Sequence, residues 1–544
     1  MNGVFNVPEP KNEPILSYKP GSSERAELQK KLDLMLNEEE AIPAIIGGKR
    51  VWTDSLGQCV CPHDFNHVLG QYVKIEEPEI IYRTIDEALA VREKWASTPW
   101  EDRAAIFLKA ADLLAGPYRQ TLNAATMLGQ SKTVFQAEID AVCELVDFWR
   151  FNVHYMRQIY EQQPNSSAGC WNRLEWRPLE GFVYAITPFN FTSIAGNLPT
   201  APAMMGNVVL WKPASTAMYS AHYIMELLME AGLPDGVINM IPGSGERISK
   251  TVLQNGHLAG VHFTGSGEAF NSIWQTVGLN LPYYNTYPTL VGETGGKDFI
   301  FVHNSADAGA VATAIVRGAF EYQGQKCSAA SRAYIPESRW QEISKRVVRS
   351  VKEITNLQGS PTEFENFMSA VIDETAYDRI TDYIEFTRES GDASVLVGGG
   401  ASKHSGWYVL PTVIVTKNPH FKTMEDEIFG PVITIYVYPD NTYEKTLELC
   451  NETSIYGLTG CIMAKDRDAI SLALNKLRNA AGNFYINDKP TGAVVGQQPF
   501  GGSRASGTND KAGSMLNLLR WVSPRTIKET FVPPTDYRYP HMET

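Results

Sequence analysis

Two short stretches carry the residues best suited to chemistry, Val291-Gly292-Glu293-Thr294-Gly295-Gly296-Lys297 and Gly324-Gln325-Lys326-Cys327-Ser328. The first offers a carboxylate beside paired glycines, and the second offers a single thiol with a lysine next to it. A thiolate attacks electrophilic carbon well, and a nearby carboxylate can activate water to release what the thiol has captured. Cys327 and Glu293 together favour the formation and hydrolysis of a thioester. An inert buried cysteine and a salt bridge from Glu293 to Lys297 are the plainer alternatives.

Five further motifs occur in a definite order along the chain. They are Thr187-Pro188-Phe189-Asn190-Phe191-Thr192, Leu210-Trp211-Lys212-Pro213, Phe263-Thr264-Gly265-Ser266, Glu427-Ile428-Phe429-Gly430-Pro431 and Gln498-Pro499-Phe500-Gly501-Gly502. With the Glu293 and Cys327 stretches, they resemble the signatures of the aldehyde dehydrogenase superfamily. Residues 320–331 and 483–510 are similar to one branch of it, the glutamate-γ-semialdehyde (Δ1-pyrroline-5-carboxylate) dehydrogenases. The resemblance extends over about residues 12–539 and implies NAD-dependent oxidation of glutamate γ-semialdehyde to glutamate in proline catabolism.

Length and composition are those of a globular protein of two to four domains. The chain has 544 residues, of which 43% are hydrophobic and 20% charged. Its net charge of −13 argues against nucleic-acid or anionic-membrane partners. The longest apolar run, residues 309–320, is too short for a membrane span and contains Arg317. The resemblance implies a small-molecule substrate.

The seven cysteines are few, odd in number and unevenly spaced, which indicates a reducing compartment. Cys59-Val60-Cys61 lacks the spacing of zinc motifs, so no metal site is predicted. Residues 1–20 show neither the apolar core of a signal peptide nor an Arg-rich amphipathic pattern. We therefore expect a cytoplasmic protein, with the mitochondrial matrix as the alternative if a transit peptide is missing.

Helical periodicity dominates the first third of the chain. The predicted helices are residues 22–37 with Ser23 as cap, 84–97, 102–115 and 121–151 with a break at Gly129, and residues 45–53 form a hairpin. Strands then alternate with helices, which predicts a parallel α/β sheet with ligands at the strand carboxyl ends. These strands are 182–186, 208–212, 237–241 and 260–263, separated by helices 193–205 (interrupted by prolines), 217–231, 246–254 and 269–279.

A second α/β unit follows, with strands 299–302, 333–335, 394–397 and 432–437 and helices such as 307–322 and 338–355. By resemblance the fold is α/β, with a Rossmann-like NAD-binding domain, an α/β catalytic domain and a small β oligomerisation element. The expected boundaries are 1–160 with 182–294 for cofactor binding, 295–495 for catalysis, and 161–181 with 519–544 for oligomerisation. Residues 168–180 alternate as a half-exposed strand does, and 526–531 can add an edge strand. By resemblance the first of these segments crosses to a neighbouring subunit of a homodimer or higher homo-oligomer. An ordinary surface hairpin is the alternative.

No G-x-G-x-x-G follows the first strand of the α/β region. Gly243-Ser244-Gly245 and Gly265-Ser266-Gly267 each follow a strand and open a helix, so their N–H groups could face a phosphate, or each could be a plain turn. The resemblance makes Gly265 and Ser266 contacts of the NAD pyrophosphate. It also places Thr187, Pro188, Phe189 and Gly245 at the cofactor.

The resemblance further implies that Lys212 bonds the adenosine ribose, although a surface lysine at a strand end is the simpler interpretation. Ser215 stands where many members have a Glu that repels a 2′-phosphate, so we expect NAD to be preferred and NADP tolerated. Glu427 is expected at the nicotinamide ribose, with Phe429 beside it; a solvated loop carboxylate is the alternative.

In the chemical site, Cys327 is the predicted nucleophile. The oxyanion of its thiohemiacetal needs preorganised donors, for which we expect the Asn190 side chain and the Cys327 N–H. An Asx turn is the alternative role for Asn190. Hydride leaves for the nicotinamide, and Glu293 activates the water that hydrolyses the thioester. Glu293 thereby separates hydrolytic members from CoA-acylating ones.

At the substrate end, a Gly-containing loop could bind a carboxylate through its N–H groups. By resemblance Gly492 and Ala493 do so with the Ser328 hydroxyl, although some relatives have Ser in place of Ala493. Three more side chains complete the predicted site. Glu144 is expected to face the ammonium group, or to be an exposed helix carboxylate, and Phe191 and Phe500 to clamp the aliphatic middle, or to be core aromatics.

Two other functions compete with this one. A broader-specificity semialdehyde dehydrogenase is the first, and a catalytically silent scaffold is the second. The scaffold is disfavoured because Cys327, Glu293, Asn190 and Lys212 are all present.

Overall fold

A seven-stranded sheet forms the first half of the fold in the computed structural model, which describes residues 6–543. Its strand order is Thr289–Glu293, Leu258–Thr264, Phe182–Ile186, Val208–Lys212, Ile238–Met240, Ala44–Ile46 and Lys49–Val51. The first five strands are parallel, and the last two form the predicted hairpin at the edge. The predicted parallel α/β sheet is therefore confirmed.

The strand order reverses beside the strand Phe182–Ile186. The next strand in sequence, Val208–Lys212, pairs on one side of it, and Leu258–Thr264 pairs on the other. Loops that leave neighbouring strands in opposite directions open a crevice at the carboxyl ends, where α/β proteins bind ligands. Thr187, Lys212 and Gly265 all lie at that edge.

A second seven-stranded sheet forms the other half. Its order is Ala393–Val397, Thr412–Thr416, Val432–Tyr438, Ala330–Pro336, Asp298–Val302, Thr459–Met463 and Asn483–Ile486, and the first strand is antiparallel to its neighbour. In the central strand Asp298–Val302, alternate side chains pack into hydrophobic cores on opposite faces of the sheet. Phe299 and Phe301 pack on one face, and Ile300 and Val302 pack on the other. Burial on both faces is typical of parallel strands covered by helices.

The helices cover these sheets. Their bounds are Ser23–Leu36, Pro78–Ser97, Trp100–Ala115, Arg119–Gln130, Val134–Ala137, Glu144–Glu161, Thr192–Met204, Met218–Ala231, Gly245–Val252, Gly267–Asn280, Ala308–Phe320, Glu337–Thr355, Glu374–Glu389, Lys422–Glu425, Tyr443–Glu452, Arg467–Lys476 and Met515–Leu518. A π-helix, Glu138–Cys143, joins two of them. The smaller sheets pair Glu40–Ile42 and Leu56–Cys61 with Asp64–Val73, Ala401–Ser402 with Tyr408–Val409, and Tyr456–Gly457 with Ser503–Arg504.

Two predictions about helix ends are wrong by one or two residues. The cap of the first helix is Ser22, whose hydroxyl accepts from the Arg25 N–H at 3.4 Å. The break predicted at Gly129 lies at Ser131, which adopts a left-handed φ of 55°. The Ser131 hydroxyl is 2.9 Å from Nδ1 of buried His63, and this contact holds the break in place.

The interruption predicted by prolines in residues 193–205 is also wrong, because Thr192–Met204 is one helix containing Pro199 and Pro202. Pro202 has no N–H to offer the carbonyl of Leu198, four residues earlier. Nδ1 of buried His262 lies 2.9 Å from that carbonyl oxygen and satisfies it. The β-hairpin of Leu56–Cys61 and Asp64–Val73 was not predicted at all.

An antiparallel arm joins two distant segments, Cys170–Pro178 and Val522–Thr530. Both predicted strands are present, and the second is longer than expected. Whether the arm mediates oligomerisation stays a prediction. Among residues 6–543, no helix combines the length and apolar character that crossing a bilayer requires.

Candidate active site

Cys327 lies in a tightly folded loop before the strand Ala330–Pro336. The predicted helix 307–322 ends at Phe320, and Tyr322 and Gln323 adopt left-handed φ values of 49° and 56°. The thiol is 8% exposed. Burial raises its pKa well above the usual range, and the negative charges of Asp298, Glu293 and Glu427 raise it further. The structure therefore brings three carboxyl groups to the predicted nucleophile.

Glu293 ends the strand Thr289–Glu293. Its Oε1 packs against Gly501, where a Cβ would lie only 2.9 Å away. Its Oε2 is buried and has no hydrogen-bond partner between residues 6 and 543. Burial raises the pKa of Glu293 well above the ordinary value, against the opposing positive charge of Lys511. A carboxyl group with a raised pKa and a free oxygen can act as a base for water.

The alternative salt bridge from Glu293 to Lys297 is wrong. Nζ of Lys297 donates instead to the Ser331 hydroxyl at 2.5 Å. Lys511, which was not predicted, is the lysine whose positive charge acts on Glu293. Its Nζ donates to the carbonyl oxygens of Gly482 and Gly501 at 2.9 and 2.8 Å.

Asn190 follows the carboxyl end of the strand Phe182–Ile186 and is 4% exposed. Its Nδ2 donates to the carbonyl oxygen of Gln325 at 3.1 Å, two residues before Cys327. The amide therefore bridges to the nucleophile loop rather than to its own turn. A side-chain amide carries a second N–H, which can serve an oxyanion.

Lys212 ends the strand Val208–Lys212 and is 8% exposed, so the surface-lysine alternative is wrong. Burial lowers its pKa to about 8. Nζ has no hydrogen-bond partner within the described part of the chain, and a Cβ on Gly245 would lie 3.6 Å from it. A buried ammonium without a partner, facing a glycine at a helix start, fits a ligand with hydroxyl groups.

The two predicted phosphate turns have the same local structure, in which a serine caps a helix that a glycine begins; the Ser244 hydroxyl accepts from the Arg247 N–H at 3.5 Å. Gly245 is the first residue of its helix, with its N–H groups directed out of the first turn. In the other turn the Gly265 N–H donates to the carbonyl oxygen of Glu293 at 3.1 Å, and the Ser266 hydroxyl caps its helix through the Ala269 N–H at 3.2 Å. The Ser266 hydroxyl is thus engaged in capping, which the sequence prediction did not anticipate.

The remaining predicted cofactor residues lie around the same crevice. The Thr187 hydroxyl accepts from Trp211 Nε1 at 3.0 Å. Pro188 and Phe189 follow Thr187 in the loop after the strand Phe182–Ile186. The rings of Phe189 and Phe429 meet edge to face at 5.9 Å. Ser215 begins the short helix Ser215–Ala217.

The Glu427 side chain is half-buried against the backbone of the Glu293 motif. Its Oε1 accepts from the Gly296 N–H at 2.8 Å, and a Cβ on Gly295 would lie 2.3 Å from Oε2. Burial raises the pKa of this carboxyl. Gly295 is therefore required for the Glu427 carboxylate to approach, and the solvated-loop alternative is wrong.

At the predicted substrate end, the Ser328 hydroxyl lies 2.7 Å from the Thr491 hydroxyl. Gly492 has a φ of 98°, and it is exposed at a turn that continues into half-buried Ala493. Phe500 is half-buried and exchanges backbone hydrogen bonds of 3.0 and 2.8 Å with Ala512.

Glu144 begins the helix Glu144–Glu161 and accepts from the Ser193 hydroxyl at 2.6 Å. It is half-buried rather than an exposed helix carboxylate. Burial, followed by the charge of Asp140, raises the pKa of Glu144 to about 8. Phe191 is half-buried, and Nζ of Lys132 lies 4.4 Å from the centre of its ring.

Sequence reasoning missed a set of five charged residues, four buried and one half-buried, that we name the charge chain. Its members alternate in sign and come from distant segments: Lys132, Asp140, Lys326, Glu321 and Lys489. The sequence singled out Lys326 as a neighbour of Cys327, but no local pattern marked the others. The charge chain runs from the break at Ser131 to the loop that contains Gly492.

Known proteins are similar to this chain along nearly its whole length. The sequence profile of the aldehyde dehydrogenase family matches residues 52–527. The mitochondrial delta-1-pyrroline-5-carboxylate dehydrogenase of Dictyostelium discoideum is 53% identical over 540 residues, which covers 99% of this chain and 96% of that protein. The mitochondrial delta-1-pyrroline-5-carboxylate dehydrogenase of Homo sapiens is 48% identical over 533 residues, with 98% and 94% covered.

A solved structure is equally similar. The Delta-pyrroline-5-carboxylate dehydrogenase from Mycobacterium tuberculosis bound with NAD is 51% identical, has a TM-score of 0.96 and is covered over 100% of both chains. These similarities confirm the resemblance drawn from the motifs and the predicted α/β fold. The chain belongs to the aldehyde dehydrogenase family.

Proposed function

We propose that this chain oxidises L-glutamate γ-semialdehyde, formed by hydrolysis of Δ1-pyrroline-5-carboxylate, to L-glutamate with NAD. The observation that carries the proposal is the meeting of a buried thiol, Cys327, with a carboxyl group, Glu293, whose Oε2 has no partner among residues 6–543. Relatives of about half identity named delta-1-pyrroline-5-carboxylate dehydrogenase support the substrate.

The reaction begins when Cys327, as thiolate, adds to the aldehyde carbon and forms a thiohemiacetal. The second N–H of Asn190 and the backbone N–H of Cys327 stabilise the oxyanion. Bound NAD supplies the redox chemistry by accepting the hydride from the former aldehyde carbon. Glu293 then takes a proton from water as that water attacks the resulting thioester at Cys327. The carboxylic acid leaves, and the sulfur is regenerated for the next turnover.

Several residues fit NAD. The unpartnered ammonium of Lys212 beside Gly245 would hold ribose hydroxyl groups, and Glu427, oriented by Gly296, would hold those of the nicotinamide ribose. N–H groups at the starts of the helices Gly245–Val252 and Gly267–Asn280 would face the phosphates. Thr187, Pro188, Phe189 and Phe429 would wall the crevice, and Ser215 would leave the 2′ position without a repelling charge.

The substrate is proposed to lie between Cys327 and the loop at Gly492. The N–H groups of Gly492 and Ala493 and the Ser328 hydroxyl would bind its carboxylate, and Glu144 would face its ammonium group. The half-buried rings of Phe191 and Phe500 would contact the methylene groups.

Steady-state kinetics with Δ1-pyrroline-5-carboxylate and butanal, each with NAD and NADP, test these assignments. We expect kcat/KM for the semialdehyde to exceed that for butanal by about 10²-fold or more, because butanal leaves the carboxylate donors unpaired. A ratio near one would contradict the substrate assignment and favour a broader-specificity enzyme. A higher kcat/KM with NADP would contradict the cofactor preference, and no oxidation of any aldehyde would favour the silent scaffold.

The proposed assembly is a homodimer or larger homo-oligomer formed through the arm of Cys170–Pro178 and Val522–Thr530. Exposed Trp171 and Phe531 on this arm support the proposal. In the same scheme residues 1–160 with 182–294 bind the cofactor and 295–495 carry the catalytic residues. Sedimentation velocity at micromolar concentration should give at least twice the chain mass; a monomer would contradict it.

We also propose a reducing compartment, with the cytoplasm as the first choice and the mitochondrial matrix as the second. All seven cysteines, each within the described residues, are free thiols.

A further inference from the structure

The charge chain is a continuous series of ion pairs from Lys132 to Lys489. Nζ of Lys132 and Lys326 lie 2.7 and 3.3 Å from Oδ2 of Asp140. Nζ of Lys326 and Lys489 lie 3.9 and 3.4 Å from Oε2 of Glu321. Three lysine side chains therefore alternate with two carboxylates along the charge chain.

Lys489 is the outer member of this chain. Its side chain is 20% exposed, whereas that of Lys326 is 2% exposed and that of Lys132 is fully buried. Of the three lysines, Lys489 is therefore the one whose ammonium group a solute can approach. The ring centres of Phe191 and Tyr322 lie 4.4 and 4.5 Å from Nζ of Lys132, the innermost of the three lysines.

The ammonium of Lys489 lies directly beside Gly492. Nζ donates to the carbonyl oxygen of Thr491 at 3.1 Å. A Cβ on Gly492 would be 2.9 Å from the same Nζ, so the ammonium occupies the side on which a side chain would project. The Thr491 hydroxyl in turn meets that of Ser328 at 2.7 Å. Lys489 thus fixes the loop relative to the residue that follows the nucleophile.

We propose that Lys489 is a specificity-determining residue, which holds the loop 489–493 at a set distance from Cys327 and adds a positive charge where the far carboxylate of the substrate binds. The inference rests on the proposed function and deepens it. It assigns recognition of the carboxylate to a side-chain charge as well as to backbone N–H groups. Opposite charge at a binding site selects its ligand when both are partly desolvated.

The test compares Lys489→Met, which removes charge and donor, with Lys489→Gln, which removes only the charge, and Lys489→Arg, which keeps both. Lys403→Met is the matched control, because Lys403 is also paired with a carboxylate but lies at the exposed surface. Two quantities are measured: the ratio of kcat/KM for glutamate semialdehyde to that for butanal, and the Ki of L-glutamate competing with butanal.

For Lys489→Met we expect the ratio to fall about tenfold, chiefly through KM, and the Ki of L-glutamate to rise by a similar factor. Lys489→Gln should show a smaller change in both, Lys489→Arg should recover most of the wild-type ratio, and Lys403→Met should leave both unchanged. If Lys489→Met fails to fold, the Gln and Arg variants carry the same comparison.

Equal losses for the semialdehyde and butanal would overturn the inference, because a residue that only supports the fold does not discriminate between substrates. An unchanged ratio and Ki in both neutral variants would also overturn it. A wild-type ratio near one is a different failure, since it contradicts the proposed substrate itself.

Discussion

The buried carboxyl groups around Cys327 and the buried Asp140 at the other end of the candidate active site have pKa values shifted in opposite directions. Around Cys327, the carboxyl groups of Glu293, Asp298 and Glu427 have no ion-pair partner in the part of the chain that the structure describes, and burial raises the pKa of each. At the other end, burial alone would raise the pKa of Asp140, but the ammonium groups of Lys132 and Lys326 hold it below its usual value.

This difference separates chemistry from recognition. A carboxyl group with a raised pKa accepts a proton more readily than an ordinary carboxylate, as a general base must. A carboxylate held between two lysines stays ionised and keeps its geometry, as a charge-selective pocket requires. We infer that the Cys327 end is built to move protons and that Asp140 in the charge chain is built to stay ionised.

Replacing the nucleophile should have the largest effect. Cys327→Ala removes the atom that forms the adduct, so we expect aldehyde oxidation to fall by about 10⁵-fold or more. The measurement is the initial rate of NADH formation from Δ1-pyrroline-5-carboxylate. Cys170→Ala, at a partly exposed thiol on the arm, should keep the wild-type rate. Oxidation by Cys327→Ala at the parental rate would remove the basis of the comparison.

The next effect concerns the oxyanion. Asn190→Ala deletes the buried amide that reaches the Gln325 carbonyl oxygen, and we expect kcat to fall about 10²–10³-fold. Pre-steady-state NADH formation should slow by the same factor, because the loss acts on the first chemical step. A kcat within about threefold of wild type would assign the oxyanion to other donors.

A smaller effect is expected from crowding Glu427. The Cβ of Gly295→Ala would lie 2.3 Å from Oε2 and push that carboxyl aside. We expect KM for NAD to rise about tenfold, the usual scale for one lost charge-assisted hydrogen bond. Gly278→Ala is the matched control, since a Cβ there meets nothing within 4 Å. Unchanged NAD kinetics in Gly295→Ala would argue against a cofactor role for Glu427.

The smallest effect is a pH dependence that belongs to the recognition end. The pKa of Glu144 is raised to about 8, so below that pH the carboxyl is largely neutral and attracts an ammonium group poorly. We expect kcat/KM for glutamate semialdehyde to rise as pH increases through about 8, by up to about tenfold. In Glu144→Gln, measured with the same substrate, kcat/KM should not show this rise with pH. A profile identical in both proteins would exclude Glu144 from recognition.

Local sequence patterns predicted the elements that carry the Cys327 end. Apolar strands alternate with helices there, so the strand ends next to Thr187, Lys212 and Gly265 followed from periodicity and motif alone. The strand Thr289–Glu293 was not predicted, and Glu293 was found only through its motif. Helix ends shifted where tertiary contacts intervened, as at Ser131 with His63. The helix with Pro202 stayed whole because a distant His262 satisfies the Leu198 carbonyl, which no local pattern shows.

The charge chain could not be predicted in the same way. Lys132 and Lys489 are separated by most of the chain and meet only through Asp140, Lys326 and Glu321. Each of them, in its own segment, resembles an ordinary surface charge, and burial alone distinguishes them. The left-handed residue Ser131 immediately precedes Lys132, and a left-handed serine has no strong sequence signature.

The central claim is that Cys327 carries the substrate as an acyl group until Glu293 readies water to remove it. The most direct measurement is intact-protein mass spectrometry of Glu293→Gln, quenched after mixing with Δ1-pyrroline-5-carboxylate and NAD, alongside a rapid-mixing record of NADH. The account predicts a burst of about one NADH per site, slow turnover afterwards, and an added acyl mass that maps to Cys327 and is absent from Cys327→Ala. Loss of the burst, or an adduct that maps elsewhere, would contradict it.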